Sequence, residues 1–285
     1  MQFHDNQYLN LMNQVLTFGE RRPNRTGIDA ISQFDGHMVF DLSDGTIPLL
    51  TTKKMHTKSI IRELLWFLSG DTNIAYLKEH GVRIWDEWAD ENGNLGPVYG
   101  QMWRAYPGVN GSAPVDQIAE LMHKLDNNPT DRRMIVNGWH PALLPVDGIA
   151  PKDQVALGRQ ALPPCHMTWQ CYVNLDDQSL SLKLVQRSAD VFLGVPFNIA
   201  QYGILLHMLA HVTNLKPGRL IWTGGDVHVY DNLVEQCREQ LSRSAFPSPK
   251  LSFNRQVCSI FDFKYDDFVV VGYQSHGTIS GKVAV

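Results

Sequence analysis

The sequence predicts an α+β fold in which helices pack a large mixed β-sheet, all within one domain spanning residues 1–285. Three observations lead there. Stretches with helical spacing and stretches with strand alternation both occur, so neither class stands alone. They do not follow the regular strand–helix–strand rhythm of a doubly wound sheet. No repeat, low-complexity tract or linker rich in Pro, Gly and Ser divides the chain.

In chain order, "ISQFDGHMVFDL" (31–42) reads as the first strand. "SIIRELLWFLSG" (59–70) places Ile60, Ile61, Leu64, Leu65 and Leu68 on one helical face, with Ser59 as its start and Gly70 as its stop. "DTNIAYLKEHG" (71–81) is a second short helix, and "VDQIAELMHKLDNNP" (115–129) a third, closed by Asn-Asn-Pro. "RMIVNGW" (133–139), "HMTWQCYVNL" (166–175) and "SLSLKLVQRS" (179–188) are strands, and "SLSLKL" (179–184) alternates as a half-buried strand should. "FNIAQYGILLHMLAHVTNL" (197–215) is apolar on most faces, which predicts a central buried helix. The strand "RLIWTGGDVHVY" (219–230) and the amphipathic helix "DNLVEQCREQLSR" (231–243) follow.

Composition narrows the function classes. With 44% hydrophobic and 19% charged residues the chain supports a sizeable core, and a formal net charge of -4 argues against a general nucleic-acid binder. The first residues lack a basic-then-apolar signal pattern. No apolar run approaches the roughly 18 residues of a membrane span; "YGILLHMLAHV" is interrupted by His207 and His211. A cytoplasmic location is expected. The four cysteines show no CxxC pairing and read as reduced thiols, and no metal is expected. GxGxxG and GxxxxGK[ST] are both missing, so neither an NAD site nor a P-loop is indicated.

Several residues could carry chemistry. In "ALPPCHMTWQ" (161–170) two prolines lead directly into Cys165, restricting the backbone that positions the sulfur. That suits a nucleophile, although the stretch alone is equally that of a cysteine opening a buried strand. Arg25, the pair Arg132 and Arg133, and Arg187 beside Ser188 present guanidinium forks that match phosphate oxygens; each alone also reads as a structural ion-pair partner. Glu63 interrupts an apolar helix, where a carboxylate should be paired or functional. Asp190 precedes the apolar "VFLGVPF", and Asn198 reads as either a helix cap or a ligand amide. Trp85, Trp88, Tyr99 and Trp103 lie among acids and turn residues, as cleft walls or as anchors under a loop.

"NRTG", "PLLTTKKMHTKSIIRELLWFLSGDTNIAYL", "IWDEWADENGNLGPVYGQMWRAYP", "DRRMIV", "ALPPCH", "QRSADVFLGVPFNIA", "TGGDVHVYDN" and the terminal "VAV" occur here in this order. Taken together, these stretches resemble the folate-dependent thymidylate synthases from about residue 8 to the end. The resemblance implies a homodimer joined through one face of its sheet. It also implies methylation of dUMP to dTMP with 5,10-methylenetetrahydrofolate, a cosubstrate giving both carbon and hydride and leaving as dihydrofolate. Cys165 would add to C6 of the pyrimidine. Arg25, Arg187 and Ser188 would grip the 5'-phosphate, joined by Arg132 and Arg133 of the other subunit. Asn198 would read O4 and N3 of the base, and His228 and Tyr230 the deoxyribose hydroxyl. Glu63 would organise proton transfer in a network with Tyr99 and His166. Asp190 would bind the pterin, with Ile84, Trp85, Trp88, Gly194 and Phe197 lining the folate cleft. Lys53, His56 and Ser59 would face the glutamate tail, and the tail containing Ala284 would close over the complex.

The chain departs from the family pattern in several places. "NGWHP" stands where Ser-Ala-Trp-Asn-Pro is usual, and the stretch from Trp139 to Cys165 is longer by about a dozen residues, expected as a surface loop. Gln201 replaces a usual serine, "RTGIDAIS" lacks a second glycine, and Lys282 replaces a common proline. A dUMP hydroxymethyltransferase, trapping the methylene with water, shares the same fold and early steps. A non-catalytic nucleotide- or RNA-binding regulator is the alternative from another class.

Overall fold

The computed structural model describes residues 3–24 and 26–282, so Arg25 and Ala284 lie outside the described residues. The chain runs α1 (Asp5–Phe18), β1 (Glu20–Arg22), β2 (Ala30–Asp41), α2 (Thr57–Ser69), α3 (Ala75–Glu79), α4 (Tyr99–Arg104), α5 (Gln117–Asn127) and β3 (Ile135–Asn137). It continues with α6 (Pro151–Gln154), β4 (His166–Asn174), β5 (Ser179–Asp190), α7 (Gly194–Val212), β6 (Lys216–Tyr230), α8 (Val234–Leu241), β7 (Lys250–Phe253) and β8 (Phe268–Val271). Six strands form one sheet in the order β1-β2-β6-β5-β4-β3, while β7 and β8 pair separately. Within the large sheet, among the described residues, only β5 and β6 run parallel. A parallel pair cannot be joined by a tight turn, and α7 supplies the crossover.

α7 is buried along 14 of its 19 residues, which is why its sequence has no polar face. Each fully buried Leu, Ile or Met there contributes about 2 kcal/mol of apolar transfer. Its two histidines serve separate loops. His207 Nε2 lies 3.0 Å from the Thr46 carbonyl, and His211 Nε2 accepts the Val257 N–H at 3.2 Å. The helix starts at Gly194, three residues before the sequence expectation. Pro196 falls in the first turn, where a missing N–H costs nothing. The Asp190 carboxylate holds the preceding turn, with Oδ1 accepting the N–H groups of Phe192 and Leu193, both at 2.9 Å. Asn198 is therefore inside the helix and does not cap it.

α2 starts at Thr57 instead of Ser59. His56 caps it, its Nδ1 accepting the Ser59 N–H at 3.3 Å, and Gly70 ends it at φ 80°, a left-handed conformation glycine adopts freely. The second predicted helix shrinks to the five residues of α3. Asp71 and Asn73 explain this: their side-chain oxygens take the N–H groups of Asn73 and Ala75, each at 2.9 Å, before helix geometry sets in.

The longer stretch after Trp139 is mostly exposed but firmly tied. Buried Gln154 accepts from the Val146 N–H and donates to the carbonyls of Val146 and Ile149. Gln160 donates to the carbonyls of Pro97 and Gly138 at 2.9 and 3.2 Å. Gly96 faces this stretch at φ +67°, where an added Cβ would meet the Arg159 carbonyl oxygen at 2.0 Å. No helix among the described residues is long and apolar enough to cross a membrane.

Asp5, fully buried, anchors the segment leading into α2. Its carboxylate accepts from the N–H groups of Thr51 and Thr52, both at 2.9 Å, and from their hydroxyls at 3.0 and 2.7 Å. Asp5→Ala strands those donors, so we expect a loss of roughly 3 kcal/mol, read as a lower urea midpoint at fixed protein concentration.

Candidate active site

Cys165 sits where the double-proline segment joins β4, and its backbone is fixed on both sides. Its N–H donates to the Tyr99 hydroxyl at 2.9 Å, and its carbonyl accepts the Arg187 N–H at 2.9 Å. Arg187 comes from the neighbouring strand β5. Its Nε donates to the Pro164 carbonyl at 3.0 Å and one terminal nitrogen to the Pro163 carbonyl at 2.9 Å. That nitrogen also lies 3.9 Å from Cys165 Sγ. The guanidinium stands 5.4 Å from the Trp139 ring, within cation–π range. The prolines thus do more than stiffen the lead-in, since their carbonyls are the acceptors that seat the arginine. A register shift between His166 and Thr168 re-aims the strand just past the cysteine.

Behind the thiol lies a buried aromatic stack. The rings of Tyr99 and His166 are parallel at 3.9 Å, and His166 Nδ1 lies 2.9 Å from the Tyr202 hydroxyl. Burial lowers the His166 pKa to about 3, so the imidazole is neutral. Trp85 continues the stack toward α2, 6.0 Å from the Tyr99 ring, and its Nε1 donates to Glu63 Oε1 at 2.6 Å. Glu63 Oε2 accepts from Gln201 Nε2 at 2.7 Å. Burial raises the Glu63 pKa to about 7, and these two hydrogen bonds only partly offset it.

Asn198 projects from α7 with its Oδ1 accepting from Gln186 Nε2 at 3.0 Å. Gln186 is set in turn by Trp222, whose Nε1 donates to Gln186 Oε1 at 2.9 Å. This relay leaves the Asn198 N–H groups turned the other way. His228, near the end of β6, pairs its Nδ1 with Asp226 Oδ1 at 3.0 Å, and its ring meets Tyr230 edge-on at 5.0 Å. Ser188 is opposite Asp226 in the β5–β6 register.

Asp190 is half-buried at the end of β5, and burial raises its pKa above the ordinary carboxylate range. Gly194 and Phe197 follow on the first turns of α7, both partly exposed. Trp88 packs at 6.1 Å from Trp85, and Ile84 is exposed. His56 is exposed at the start of α2, whereas Ser59 is buried there. Lys53 is buried too. Its ammonium donates to the Phe192 carbonyl and lies 3.7 Å from the Phe192 ring, and burial lowers its pKa to about 8. In this arrangement its side chain is turned into the protein. Arg132 and Arg133 are exposed, with Arg133 paired to Asp131 at 3.1 Å.

A cavity of about 500 Å³ lies elsewhere, between α2 and residues 260–266. Its arginines are engaged, Arg62 with the Tyr76 hydroxyl and Arg104 with Asp116, and no cysteine lines it. Among the described residues no cluster of His, Cys, Asp and Glu could hold a metal ion.

Residues 6–285 match the sequence profile of thymidylate synthase. The chain belongs to the thymidylate synthase family. That places it among enzymes of nucleotide biosynthesis that transfer a one-carbon unit. Sequence reasoning missed Gln186 and Tyr202 and met Gln201 only as a departure. Gln186 follows the strictly alternating "SLSLKL" of β5 and faces inward in phase with Leu180, Leu182 and Leu184, so the alternation itself held the signal.

The Glu63 carboxyl has a testable consequence for stability. From its ordinary 4.5 up to about 7, the unfolded chain ionises first and stability falls; above that the full burial cost remains. Glu63→Gln is neutral at every pH. Its melting temperature should exceed the parent's by about 5 °C near pH 8, with the gap closing toward about pH 4.

Proposed function

We propose that this chain converts dUMP to dTMP with 5,10-methylenetetrahydrofolate, releasing dihydrofolate. The observation that carries the reading is the Cys165–Arg187 pair. The sulfur is held at a fixed backbone position, with a guanidinium 3.9 Å away that favours negative charge on it. The thiolate electron pair forms the bond to C6 of the uracil ring, and the C5–C6 π electrons move toward C5 and O4. The Asn198 N–H groups, aimed by Gln186, suit that developing charge at O4. Its Oδ1 keeps a second lone pair for N3–H, which favours uracil over cytosine. His228 and Tyr230 would take the sugar hydroxyl. Arg187 and Ser188, with Arg25 and the partner subunit's Arg132 and Arg133, would take the phosphate.

The cleft has features that fit a folate. Trp88, Ile84 and Phe197 offer partly exposed apolar surface, and among the described residues Asp190 takes hydrogen bonds through Oδ1, leaving its second oxygen for a pterin N–H. The folate supplies the methylene carbon and the hydride. Glu63, with a pKa of about 7, is matched to proton transfer near neutral pH. Trp85 closes the protein side of that carboxyl. A second copy would dock on the sheet face away from α7, where Tyr172 of β4 stands exposed and Val39 and Ile221 are partly exposed.

Incubation with dUMP and methylenetetrahydrofolate, followed by mass analysis of both products, tests the reading. We expect dTMP and dihydrofolate in equal amounts. Hydroxymethyl-dUMP with tetrahydrofolate would mean that water takes the methylene and would overturn the hydride step. Cys165→Ser should lower turnover by on the order of a thousandfold or more while dUMP binding persists.

A further inference from the structure

Gln201 lies on α7 three residues after Asn198, and its side chain is buried. Its Nε2 and the Trp85 indole divide the Glu63 carboxyl between them, one hydrogen bond to each oxygen, at 2.7 and 2.6 Å. The other end of the Gln201 amide, Oε1, is buried and has no hydrogen-bond partner among the described residues. An unsatisfied buried acceptor is costly unless a donor reaches it in some state of the site.

The two donors are not equivalent. An indole N–H only donates, so a proton on Oε1 of Glu63 would find no acceptor in Trp85. An amide carries a donor and an acceptor on one planar group, and half a turn about its last torsion exchanges them. With Glu63 ionised, the Gln201 NH2 donates to Oε2. With Glu63 protonated on Oε2, the turned carbonyl accepts that proton, and the orphaned acceptor is satisfied. We propose that Gln201 is a positioning residue that selects Oε2 of Glu63 as the oxygen carrying the exchangeable proton and holds the carboxyl in place in both protonation states.

The surroundings leave this role to the amide. The titratable groups packed around the clamp are Tyr202 from α7, Tyr99 from α4 and His166 from β4. Burial keeps the two tyrosines protonated and the histidine neutral. On α2 itself, the neighbouring Arg62 turns away, to the Tyr76 hydroxyl and the Tyr265 ring. Among the described residues no neighbouring charge sets the proton's position, so hydrogen-bond donors and acceptors do.

The inference deepens the proposed reaction and rests on it only where turnover is measured. The test on the full chain is therefore the indole NMR resonance of Trp85, assigned by its loss in Trp85→Phe and followed against pH. We expect one titration, flat in Glu63→Gln. Gln201→Met removes the donor to the carboxylate and the acceptor for the acid, and should raise the midpoint by about one pH unit. Gln201→Glu, of the same shape, puts two carboxyls together and should raise it further. A midpoint left at the parent value in either folded variant overturns the proposal. In turnover assays the acid limb of kcat should move up by the same shift, with the KM for dUMP nearly unchanged. A chain that made no dTMP would remove this last arm and leave the NMR arm standing.

Discussion

The guanidinium of Arg187 rests on the carbonyls of Pro163 and Pro164 and reaches the sulfur of Cys165, and the geometry of the site is built outward from that contact. Two features make it possible. Antiparallel pairing of β4 with β5 sets His166 opposite Gln186, so the arginine emerges beside the start of β4. The prolines cannot donate hydrogen bonds, but their carbonyls are full acceptors on a stiff segment. A planar fork on such a segment loses less entropy than a lysine would. Tyr99 then holds the cysteine from its N–H side, and Trp139 faces the guanidinium.

Behind this contact, desolvation decides which groups carry charge. His166 has no ionic partner, so burial keeps it neutral. Glu63 has two hydrogen-bond donors and no cation, and burial still outweighs them, leaving a carboxyl that gains or loses its proton near neutrality. Lys53 is nearly as buried but has a carbonyl acceptor, an aromatic face and the negative charge of Asp190 nearby. The same low dielectric thus yields a neutral ring, a poised acid and a largely retained cation, according to what each side chain faces.

The sequence made the large pattern legible because period carries it. The alternation in 179–184 and the uniformly apolar run after Phe197 predict a strand and a buried helix, and both are present as β5 and α7. Glu63 in an apolar helix and Cys165 after two prolines stood out against their surroundings. What escaped depends on register and reach. That Gln186 would meet Asn198 follows only once β5, α7 and β6 are assembled, since Trp222 aims the glutamine from the adjacent strand. Helix boundaries slipped where side chains competed for backbone N–H groups, at Asp71, Asn73 and Asp190. The amphipathic α1, with Tyr8, Leu11, Met12 and Val15 buried at helical spacing, held a signal that went unread. The six-residue α4 is too short to show one.

α7 explains why groups with different tasks can work together. One rigid, buried helix carries Asn198, Gln201 and Tyr202, which face the Gln186 relay, the Glu63 carboxyl and the His166 ring respectively. A displacement of α7 would move all three at once, and packing along its length resists that displacement. Asp190 holds its first turn from the end of β5, only three residues past Arg187, so the helix carrying the amides is indexed to the strand carrying the arginine. The distance between the thiol and the groups on α7 is thereby set by one short covalent segment and one carboxylate. β5 and β6 pair in parallel, and the crossover that this pairing demands is also the element that aligns the site.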